Sequence, residues 1–483
     1  MKREPINLLL YRWRYAIGYT ALILVFMLAI ALAGLYAPGG LTQSEIDTLA
    51  VTHSLGSTTV NLVNLPFHGL QLLILKLFGV SILTIKLPAM LFAVGAIVAI
   101  FFLLRRWFKP NITILAMLIM ATTGQLIFLA QSATTQILYV FYSALILLFA
   151  SLILQKAQKP LLWRLALAAS VALSIYTPYF FYINAGLLIA AFIHPRTRYH
   201  ILRRSQRLNW LGAGALFVLL VSPLVLGIIK DTTVLHELAG LGYLSSLDVL
   251  GNIKTLLQTY FWVQPVLVND QIAPIFDFTS LFIIVLGGLA LFRHRYTARS
   301  YVITGWLLLT LPILIIDPGL VALVVVPLFI LLALGIETLL HEWYKLFPKN
   351  PYARSFGLIL AVGLIGIMVF SGIDRFMNGY RHMPEAVGNS SVDLVLLKQH
   401  LAQRPAKVQI IATEAELPLY HIYARFSKDE VIVTSDVSER ASTNILVSHA
   451  AREQLNRDDL ELTAIITNDR SADGDRFYLY KVK

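Results

Sequence analysis

Long runs of apolar residues, separated by short polar segments, fill most of the first 373 residues of the chain. A run of roughly 17 to 25 apolar residues matches the hydrocarbon thickness of a bilayer, and in lipid such a segment satisfies its backbone hydrogen bonds as a helix. The pattern predicts eleven transmembrane helices, at residues 15–36, 86–107, 112–130, 135–155, 162–177, 179–194, 209–230, 274–292, 299–317, 320–341 and 355–373.

A proline separates the fifth and sixth of these runs. Pro178 stands in the segment SIYTPYFF, and it favours a break because proline removes a backbone donor and clashes with the preceding turn. With this break, the loops on one face carry 21 Lys and Arg residues and those on the other face carry four. Basic residues concentrate on the cytoplasmic side. The sequence therefore predicts a multi-pass protein of the plasma (inner) membrane, with a cytoplasmic N-terminus and an extracytoplasmic C-terminal domain.

Three regions fall on the predicted outer side. Loop 37–85 contains PFHGLQLLILKLFG, which is too short to span and predicts a helix in the membrane interface. A second loop covers residues 231–273. The tail, 374–483, has one helical segment, SSVDLVLLKQHLAQ, and five strand-like segments, KVQIIA, EVIVTS, NILVSH, LTAIIT and RFYLYKV. We predict an all-α membrane domain over 1–373 and a small extracytoplasmic α/β domain over 374–483.

Composition supports this organisation and removes several function classes. Hydrophobic residues make up 57% of the chain and charged residues 14%. From Arg375 onward there are 14 Lys and Arg against 15 Asp and Glu, so the net charge of +12 belongs to the membrane loops and does not indicate nucleic-acid binding. The chain has no cysteine, which excludes disulfides and thiolate chemistry. No phosphate-cradling glycine motif of a nucleotide site is present.

Ionisable residues are almost absent from the predicted spans, which argues against a proton- or sodium-coupled pump. The polar lining of a lipid or polysaccharide translocation path is missing for the same reason. Acidic residues collect instead on the predicted outer side: Glu45, Asp47, Asp231, Glu237, Asp248, Asp270, Asp277 and Asp317. Any chemistry is therefore expected to face outward.

Residues 61–108 resemble the core of the C-type (GT-C) membrane glycosyltransferases, which include the dolichyl-phosphate-mannose protein mannosyltransferases and the aminoarabinose transferases. In that family an acidic motif in the first outer loop precedes an (H/N)PPLYY segment, an interfacial helix ending in LFG, and RLP at the start of the second span. This chain has NLPFH at 64–68, LFG at 77–79 and KLP at 86–88. The resemblance extends to the number of helices, the outer loops and the outer tail, and implies a GT-C-like fold.

The resemblance implies transfer of a sugar from a polyprenyl phosphate to an acceptor on the outer face. A carboxylate must then accept the proton of the acceptor hydroxyl, and a cation must hold the lipid phosphate. Glu45 and Asp47 are the candidate bases, and Glu45 aligns with the second residue of the family's acidic pair. Positions two apart on a helix differ by about 200°, so only one of them can face a given cavity. Ser44 replaces the first acid of the pair, which puts activity in question.

Further site residues are predicted with an alternative for each. Lys86 and His68 are candidates for the donor phosphate, and His53, Tyr176, Tyr179 and Asp277 for substrate. Lys86 could instead be an anchor at the membrane interface, and the two histidines could be packed there without a ligand. The tyrosines could belong to an aromatic belt, and Asp277 could cap a helix. Ser44, Glu45 and Asp47 likewise fit the capping of a surface helix. The histidine spacing does not match a zinc helix, so no metal is predicted and a divalent ion has no support.

The leading hypothesis is a glycosyltransferase that uses a polyprenyl-phosphate sugar donor and an unknown cell-envelope acceptor. The predicted partners are membrane lipid, this donor and that acceptor. A second hypothesis is a catalytically degenerate relative that binds or assembles envelope glycans. A third, a lipid or polysaccharide transporter, is disfavoured by the apolar spans.

Overall fold

The structure is a computed structural model and describes residues 9–35, 40–55, 62–155, 157–202, 207–242, 247–261, 266–268, 271–383, 390–403, 407–427, 430–436, 442–455, 459–468 and 474–482. The chain divides into two compact units. The first unit contains Met1–Leu32, Phe92–Leu129 and Gln136–Met377. The second contains Ala33–Leu91, Ala130–Thr135 and Asn378–Lys483. Each unit is therefore assembled from segments that are distant in sequence.

Helices dominate the described part of the first 374 residues. In chain order they are α1 (Leu9–Leu35), α2 (Gln43–Ser54), α3 (Leu65–Phe78), α4 (Ile82–Trp107), α5 (Pro110–Thr122), α6 (Gly124–Gln131), α7 (Ile137–Leu154), α8 (Pro160–Ser174), α9 (Phe180–Ile193), α10 (Pro195–Leu202), α11 (Arg207–Lys230), α12 (Thr233–Ala239), α13 (Val249–Phe261), α14 (Phe278–Arg293), α15 (Ala298–Ile316), α16 (Ala322–Leu346) and α17 (Pro351–Asp374). The short strands of this region are β1 (Leu41–Thr42), β2 (Val266–Val268) and β3 (Gln271–Ala273).

Each predicted span coincides with an apolar helix or a helix pair. Among the described residues, six helices are long and apolar enough to cross a membrane: α4, α7, α11, α15, α16 and α17. The pair α5 and α6 makes a seventh if it is one broken span, and shorter apolar helices lie within α1, α3, α8, α9 and α14. The helix break predicted near Pro178 is present, because α8 ends at Ser174 and α9 begins at Phe180. The total of eleven crossings stays a prediction.

One predicted span is not continuous. The run 112–130 was expected to be a single helix, but α5 and α6 meet at Thr123 with a bend of 55°. The hydroxyl groups of Thr122 and Thr123 donate to the carbonyl oxygens of Leu118 and Ile119, at 2.9 and 2.8 Å. Threonine hydroxyls that bond back to the preceding turn satisfy carbonyls at a helix end and favour a bend.

Glycines allow two helices of the first unit to touch through their backbones. A Cβ atom added to Gly287 of α14 would collide with the carbonyl oxygen of Leu331 in α16, and one added to Gly335 of α16 would collide with that of Ile283 in α14. Lipid supplies no hydrophobic force between helices, so close packing at small residues provides the attraction. The contact between α14 and α16 therefore depends on these two glycines.

The second unit contains a sheet formed by the tail. Its elements are β4 (Ser390–Ser391), α18 (Asp393–Gln403), β5 (Val408–Ile411), α19 (Leu417–Phe426), β6 (Val431–Thr434), β7 (Asn444–Ser448), β8 (Leu460–Thr467) and β9 (Asp475–Val482). The five strands follow the order β6-β5-β7-β9-β8, with β5 parallel to β6 and β7, and β9 antiparallel to β7 and β8. All five predicted strands and the predicted helix at α18 are present. The sequence analysis missed α19.

The loop between the first two predicted spans and the tail share one hydrophobic core. Strand β1 pairs with β4, so that Leu41 lies opposite Ser391. Residues Ile46 and Leu49 of α2 are buried in the same cluster as Leu397, Tyr420 and Phe477 of the tail, together with Leu41, Leu75, Val80, Ile85, Ala133, Leu394, Leu401, Val408, Ile410, Ala412, Leu419, Ile422, Tyr423 and Leu446. The position of α2 therefore depends on apolar contacts with the tail. The domain boundary predicted at residue 373 stays a prediction.

A partly buried ion pair anchors α18 to the sheet. The guanidinium of Arg476 in β9 donates two hydrogen bonds to the carboxylate of Asp393, at 2.7 and 2.6 Å. These bonds raise the pKa of Arg476 above its usual value. A bidentate pair of this kind fixes orientation as well as contributing energy.

We predict that Gly287→Val destabilises the helix bundle, whereas Gly288→Val does not. The neighbouring Gly288 has no atom within 4 Å of an added Cβ, which makes it a matched control in the same helix. Overpacking typically costs about 1–3 kcal/mol, so we expect a lower apparent melting temperature in detergent for Gly287→Val alone. Equal melting temperatures of the two variants would contradict the backbone contact between α14 and α16.

Candidate functional site

Glu45 lies in the first turn of α2, where it closes a capping arrangement. Thr42 is the N-cap residue, and its backbone N–H donates to Oε2 of Glu45 at 2.9 Å. A glutamate at the third helical position that reaches back to the N-cap backbone is half of a capping box. The proposed capping by Ser44 is therefore wrong, since the helix begins at Gln43 and Thr42 precedes it. Part of the alternative interpretation of Glu45 holds, because this residue does stabilise the helix start.

The other carboxylate oxygen of Glu45 forms a buried ion pair. Oε1 lies 3.2 Å from Nζ of Lys86, and it accepts a hydrogen bond from the backbone N–H of Ala133 at 2.6 Å. The side chains of Glu45 and Lys86 are 1% and 10% exposed. Three separate segments of the second unit thus converge on one carboxylate: the start of α2, the start of α4 and the short segment 131–135.

Asp47 lies on the other side of α2. It is exposed, and its Oδ1 accepts a hydrogen bond from the side-chain amide of Gln43 at 3.0 Å. The prediction that the two acids cannot share one cavity is confirmed by their opposite burial. Of the pair, only Glu45 contacts Lys86 among the described residues.

His68 belongs to a buried hydrogen-bond network that supports this site. Its Nδ1 lies 2.8 Å from the hydroxyl of Thr52, which donates to Oε1 of Gln71 at 2.5 Å. Because the single hydroxyl proton goes to Gln71, Nδ1 of His68 is the donor in its own bond. The amide of Gln71 donates in turn to the carbonyl of Ile85, at 3.0 Å, next to Lys86. The network thus connects α2 and α3 to the start of α4.

Burial lowers the pKa of His68 to about 4. The imidazole is therefore neutral at ordinary pH and carries no charge for a phosphate. Its position explains the packing of α2 against α3, and it gives no support to the predicted phosphate contact of His68.

His53 lies near the end of α2 in a cluster of basic groups. Its ring stacks on that of His421 in α19, with centroids 5.8 Å apart, and the guanidinium of Arg425 donates to the His53 carbonyl at 3.4 Å. Desolvation, together with the charges of His421 and Arg425, lowers the pKa of His53. The predicted substrate contact of His53 stays a prediction.

The remaining predicted residues lie in the first unit. The Tyr176 hydroxyl donates to the Leu220 carbonyl at 2.7 Å, and Tyr179 is buried with its backbone N–H bonded to the Leu238 carbonyl at 2.8 Å. Asp277 is the N-cap residue of α14 and accepts a hydrogen bond from the Ser280 hydroxyl. These contacts fit structural roles, and substrate binding by the three residues stays a prediction. Asp270 lies outside the described residues.

The described part of the chain contains no cluster of side chains that could bind a metal ion. Within the ranges given above, no three His, Cys, Asp or Glu side chains are grouped closely enough to hold an ion. The carboxylate of Glu45 and the ammonium of Lys86 place an anion and a cation in direct contact.

Several residues that form this site match no pattern by which the sequence could have identified them. The segment QSATT at 131–135 carries no charged residue, yet its backbone N–H at Ala133 donates a hydrogen bond to Glu45. A backbone donor is present at nearly every position, so no residue type marks it. Thr52 lies in the mostly polar helix α2 and Gln71 in the apolar helix α3, and their mutual contact depends on the packing of α2 against α3.

Comparisons with known proteins support the family resemblance. Residues 67–226, about a third of the chain, match the family model described as dolichyl-phosphate-mannose-protein mannosyltransferase. The crystal structure of ArnT from Cupriavidus metallidurans bound to undecaprenyl phosphate is similar with a TM-score of 0.59 and 12% identity, over 95% of this chain and 97% of that chain. The apo structure of the same protein gives a TM-score of 0.56 and 12% identity, over 96% and 98%.

The apo oligosaccharyltransferase of Archaeoglobus fulgidus is more distant, with a TM-score of 0.46 and 11% identity over 86% of this chain and 64% of that one. No curated protein sequence matches the chain. The resemblance stated from the sequence is confirmed by the family model and the ArnT structures, and the chain has the GT-C fold.

We predict strong coupling between Glu45 and Lys86. Removing one partner of a buried ion pair typically costs about 3–5 kcal/mol because the other charge is left uncompensated. Glu45→Gln and Lys86→Met should each lower the apparent melting temperature in detergent. The double variant Glu45→Gln/Lys86→Met should recover much of that loss. Additive effects in this double-mutant cycle would contradict the pair, and Asp47→Asn serves as the control with little expected change.

Proposed function

We propose that this protein is a membrane glycosyltransferase that moves a sugar from a polyprenyl-phosphate donor to a cell-envelope acceptor on the extracytoplasmic face. The observation that carries the proposal is the buried contact between the first-loop carboxylate of Glu45 and the ammonium of Lys86. The GT-C fold supports it, as does the similarity to an ArnT structure that holds undecaprenyl phosphate. The predicted topology, with the first loop and the tail outside, is part of the proposal.

Lys86 is the group proposed to bind the donor phosphate. It lies in the first turns of α4, so it stands at one end of an apolar helix, where lipid headgroups are found. The leaving polyprenyl phosphate is an anion, and a preorganised ammonium in a site shielded from water stabilises the charge that develops on it. In the described structure the nearest anion to this ammonium is Glu45.

Donor binding is proposed to activate Glu45. A phosphate that approaches Lys86 competes with the Glu45 carboxylate for the ammonium, and it thereby frees Oε1 to accept a proton. The acceptor hydroxyl then gives its proton to Glu45 while its oxygen forms a bond to the anomeric carbon. The bond from that carbon to the phosphate oxygen breaks, and the polyprenyl phosphate leaves with the electron pair. Attack from the face opposite the phosphate inverts the configuration.

Asp47 is the alternative base, because its carboxylate is exposed and free of any cation among the described residues. The two assignments differ in what phosphate binding does. If Glu45 is the base, binding and transfer are coupled through Lys86. If Asp47 is the base, Glu45 only positions Lys86, and a neutral residue at position 47 abolishes transfer.

We predict that Glu45→Gln lowers sugar transfer by at least about 100-fold, the usual contribution of a general base. The measurement is release of polyprenyl phosphate from a panel of polyprenyl-phosphate sugars by the full chain in proteoliposomes that contain envelope lipids. Binding of undecaprenyl phosphate, followed by native mass spectrometry, is expected to be retained or strengthened in Glu45→Gln, since Lys86 loses its competing anion. Lys86→Gln should instead weaken that binding by about tenfold.

Asp47→Asn is the matched control on the same helix, and we expect near wild-type transfer from it. Loss of transfer in Asp47→Asn with activity intact in Glu45→Gln would assign the base to Asp47. If Glu45→Gln does not fold, Glu45→Asp keeps the charge and shortens the reach, and it should reduce transfer while preserving the ion pair. Wild type that binds undecaprenyl phosphate but releases none from any donor would contradict the enzyme and favour the degenerate binding protein.

A further inference from the structure

Two adjoining cavities lie in the first unit, at the ends of helices distant in sequence from the Glu45 site. One measures about 430 Å³ and lies where α14 ends, α15 begins and α16 approaches its C-terminus. The other measures about 390 Å³ and extends toward the ends of α4 and α7. Both are lined by Thr297 and Arg299. Cavities of 300–1,000 Å³ are of the size that holds small ligands or headgroups.

Arg299 stands between the two cavities without a carboxylate partner. Its guanidinium donates to the Trp107 carbonyl at 3.3 Å and lies 5.4 Å from the centre of the Phe108 ring. No acidic side chain is within ion-pair distance of it among the described residues. The side chain is only partly exposed. A partly desolvated guanidinium with free donors is a site for an anion such as a phosphate.

Glu337 on α16 lines the larger cavity and carries a charge opposite to that of Arg299. In the described part of the chain its carboxylate takes part in no ion pair and no side-chain hydrogen bond. Glu342, which lines the same cavity, differs from Glu337 because its carboxylate forms ion pairs with Arg293 at 3.4 Å and Lys345 at 3.9 Å. The charge of Glu342 is thus already balanced, whereas that of Glu337 is not.

Among the described residues, Arg299 and Glu337 therefore have no ionic partner, neither each other nor a third residue, while Arg293 and Lys345 share the single carboxylate of Glu342. The rest of the cavity wall combines apolar side chains, among them Leu291, Ile303 and Ile330, with polar and basic ones, among them His294, Ser300, Thr338 and His341. Charges at the ends of apolar helices lie at the depth of lipid headgroups, where bulk water is reduced. A ligand that carries a phosphate and an ammonium in one small group would satisfy both residues.

We propose that this cavity binds the headgroup of a zwitterionic aminophospholipid, with the phosphate at Arg299 and the primary ammonium at Glu337. The source is membrane lipid because the neighbouring helix surface is apolar and open: Leu289 and Phe292 of α14 are 63% and 70% exposed. Acyl chains can lie along these side chains while the headgroup enters the cavity. With the predicted topology, the site binds lipid of the cytoplasmic leaflet.

The test is native mass spectrometry of the full chain in detergent with equimolar phosphatidylethanolamine and phosphatidylglycerol, which share the phosphate but differ in the ammonium. Wild type should retain phosphatidylethanolamine about tenfold more than phosphatidylglycerol, the value of one charge-assisted contact. Glu337→Gln should bring that ratio close to one. Arg299→Gln should reduce retention of both lipids.

Two controls separate this site from general surface charge. Glu342→Gln removes a balanced carboxylate from the same cavity and should keep the preference. Arg295→Gln removes a cation that contacts the Tyr296 ring and does not line the cavity, and it should keep the retention of both lipids. Phosphatidylcholine, whose trimethylammonium cannot donate a hydrogen bond, should be retained less than phosphatidylethanolamine.

The proposal fails if wild type shows no preference between the lipids, or if Glu337→Gln keeps it. It also fails if soluble glycerophosphoethanolamine displaces the lipid at equal concentration, since the ligand would then be a free phosphate ester. Neither outcome bears on the Glu45 site, because sugar transfer is measured separately.

Discussion

The buried ion pair between Glu45 and Lys86 is the contact on which the candidate site depends. A carboxylate that is 1% exposed is stable only when its charge is balanced, and here one ammonium and two backbone N–H groups surround it. The same contacts fix the start of α2, the start of α4 and the segment 131–135. The atoms proposed to carry the chemistry therefore also hold the structure together, and the proposed catalytic role of Glu45 requires that an incoming anion replace it at Lys86.

The second unit explains how a loop holds such a pair. Loops are usually mobile, but α2 is clamped between α3 and the tail through the Thr52, His68 and Gln71 network and the shared hydrophobic core. Burial keeps the His68 pKa near 4, so this clamp stays uncharged at ordinary pH. Packing shows one structural role of the tail, because its buried side chains hold the helix that carries Glu45.

In the first unit, some charged side chains lack the ionic partner that balances Glu45 in the second unit. Glu342 contacts Arg293 and Lys345, but Arg299 and Glu337 have no ionic partner in the described structure. Unbalanced charges at headgroup depth are more informative than salt bridges, since they indicate what a ligand has to bring.

Local pattern in the sequence determined the apolar helices, the break near Pro178, the five strands of the tail and the opposite faces of Glu45 and Asp47. Each of these depends on residues a few positions apart, where hydrophobic period and proline sterics dominate. Helix α19 was missed because its LPLYHIYARF sequence mixes aromatic and β-favouring residues, and its apolar face is decided by contact with α2. The bend at Thr123 was missed because hydropathy alone does not detect threonine hydroxyls that bond to the preceding turn.

Only tertiary structure brought Lys86 and the Ala133 N–H to Glu45. Lys86 is 41 positions from Glu45 and Ala133 is 88 positions away, and the Ala133 donor is a backbone atom that no residue type marks. The neutral state of His68 and the unpaired charges of Arg299 and Glu337 likewise follow from three-dimensional surroundings, because burial and ion pairing are properties of neighbours in space.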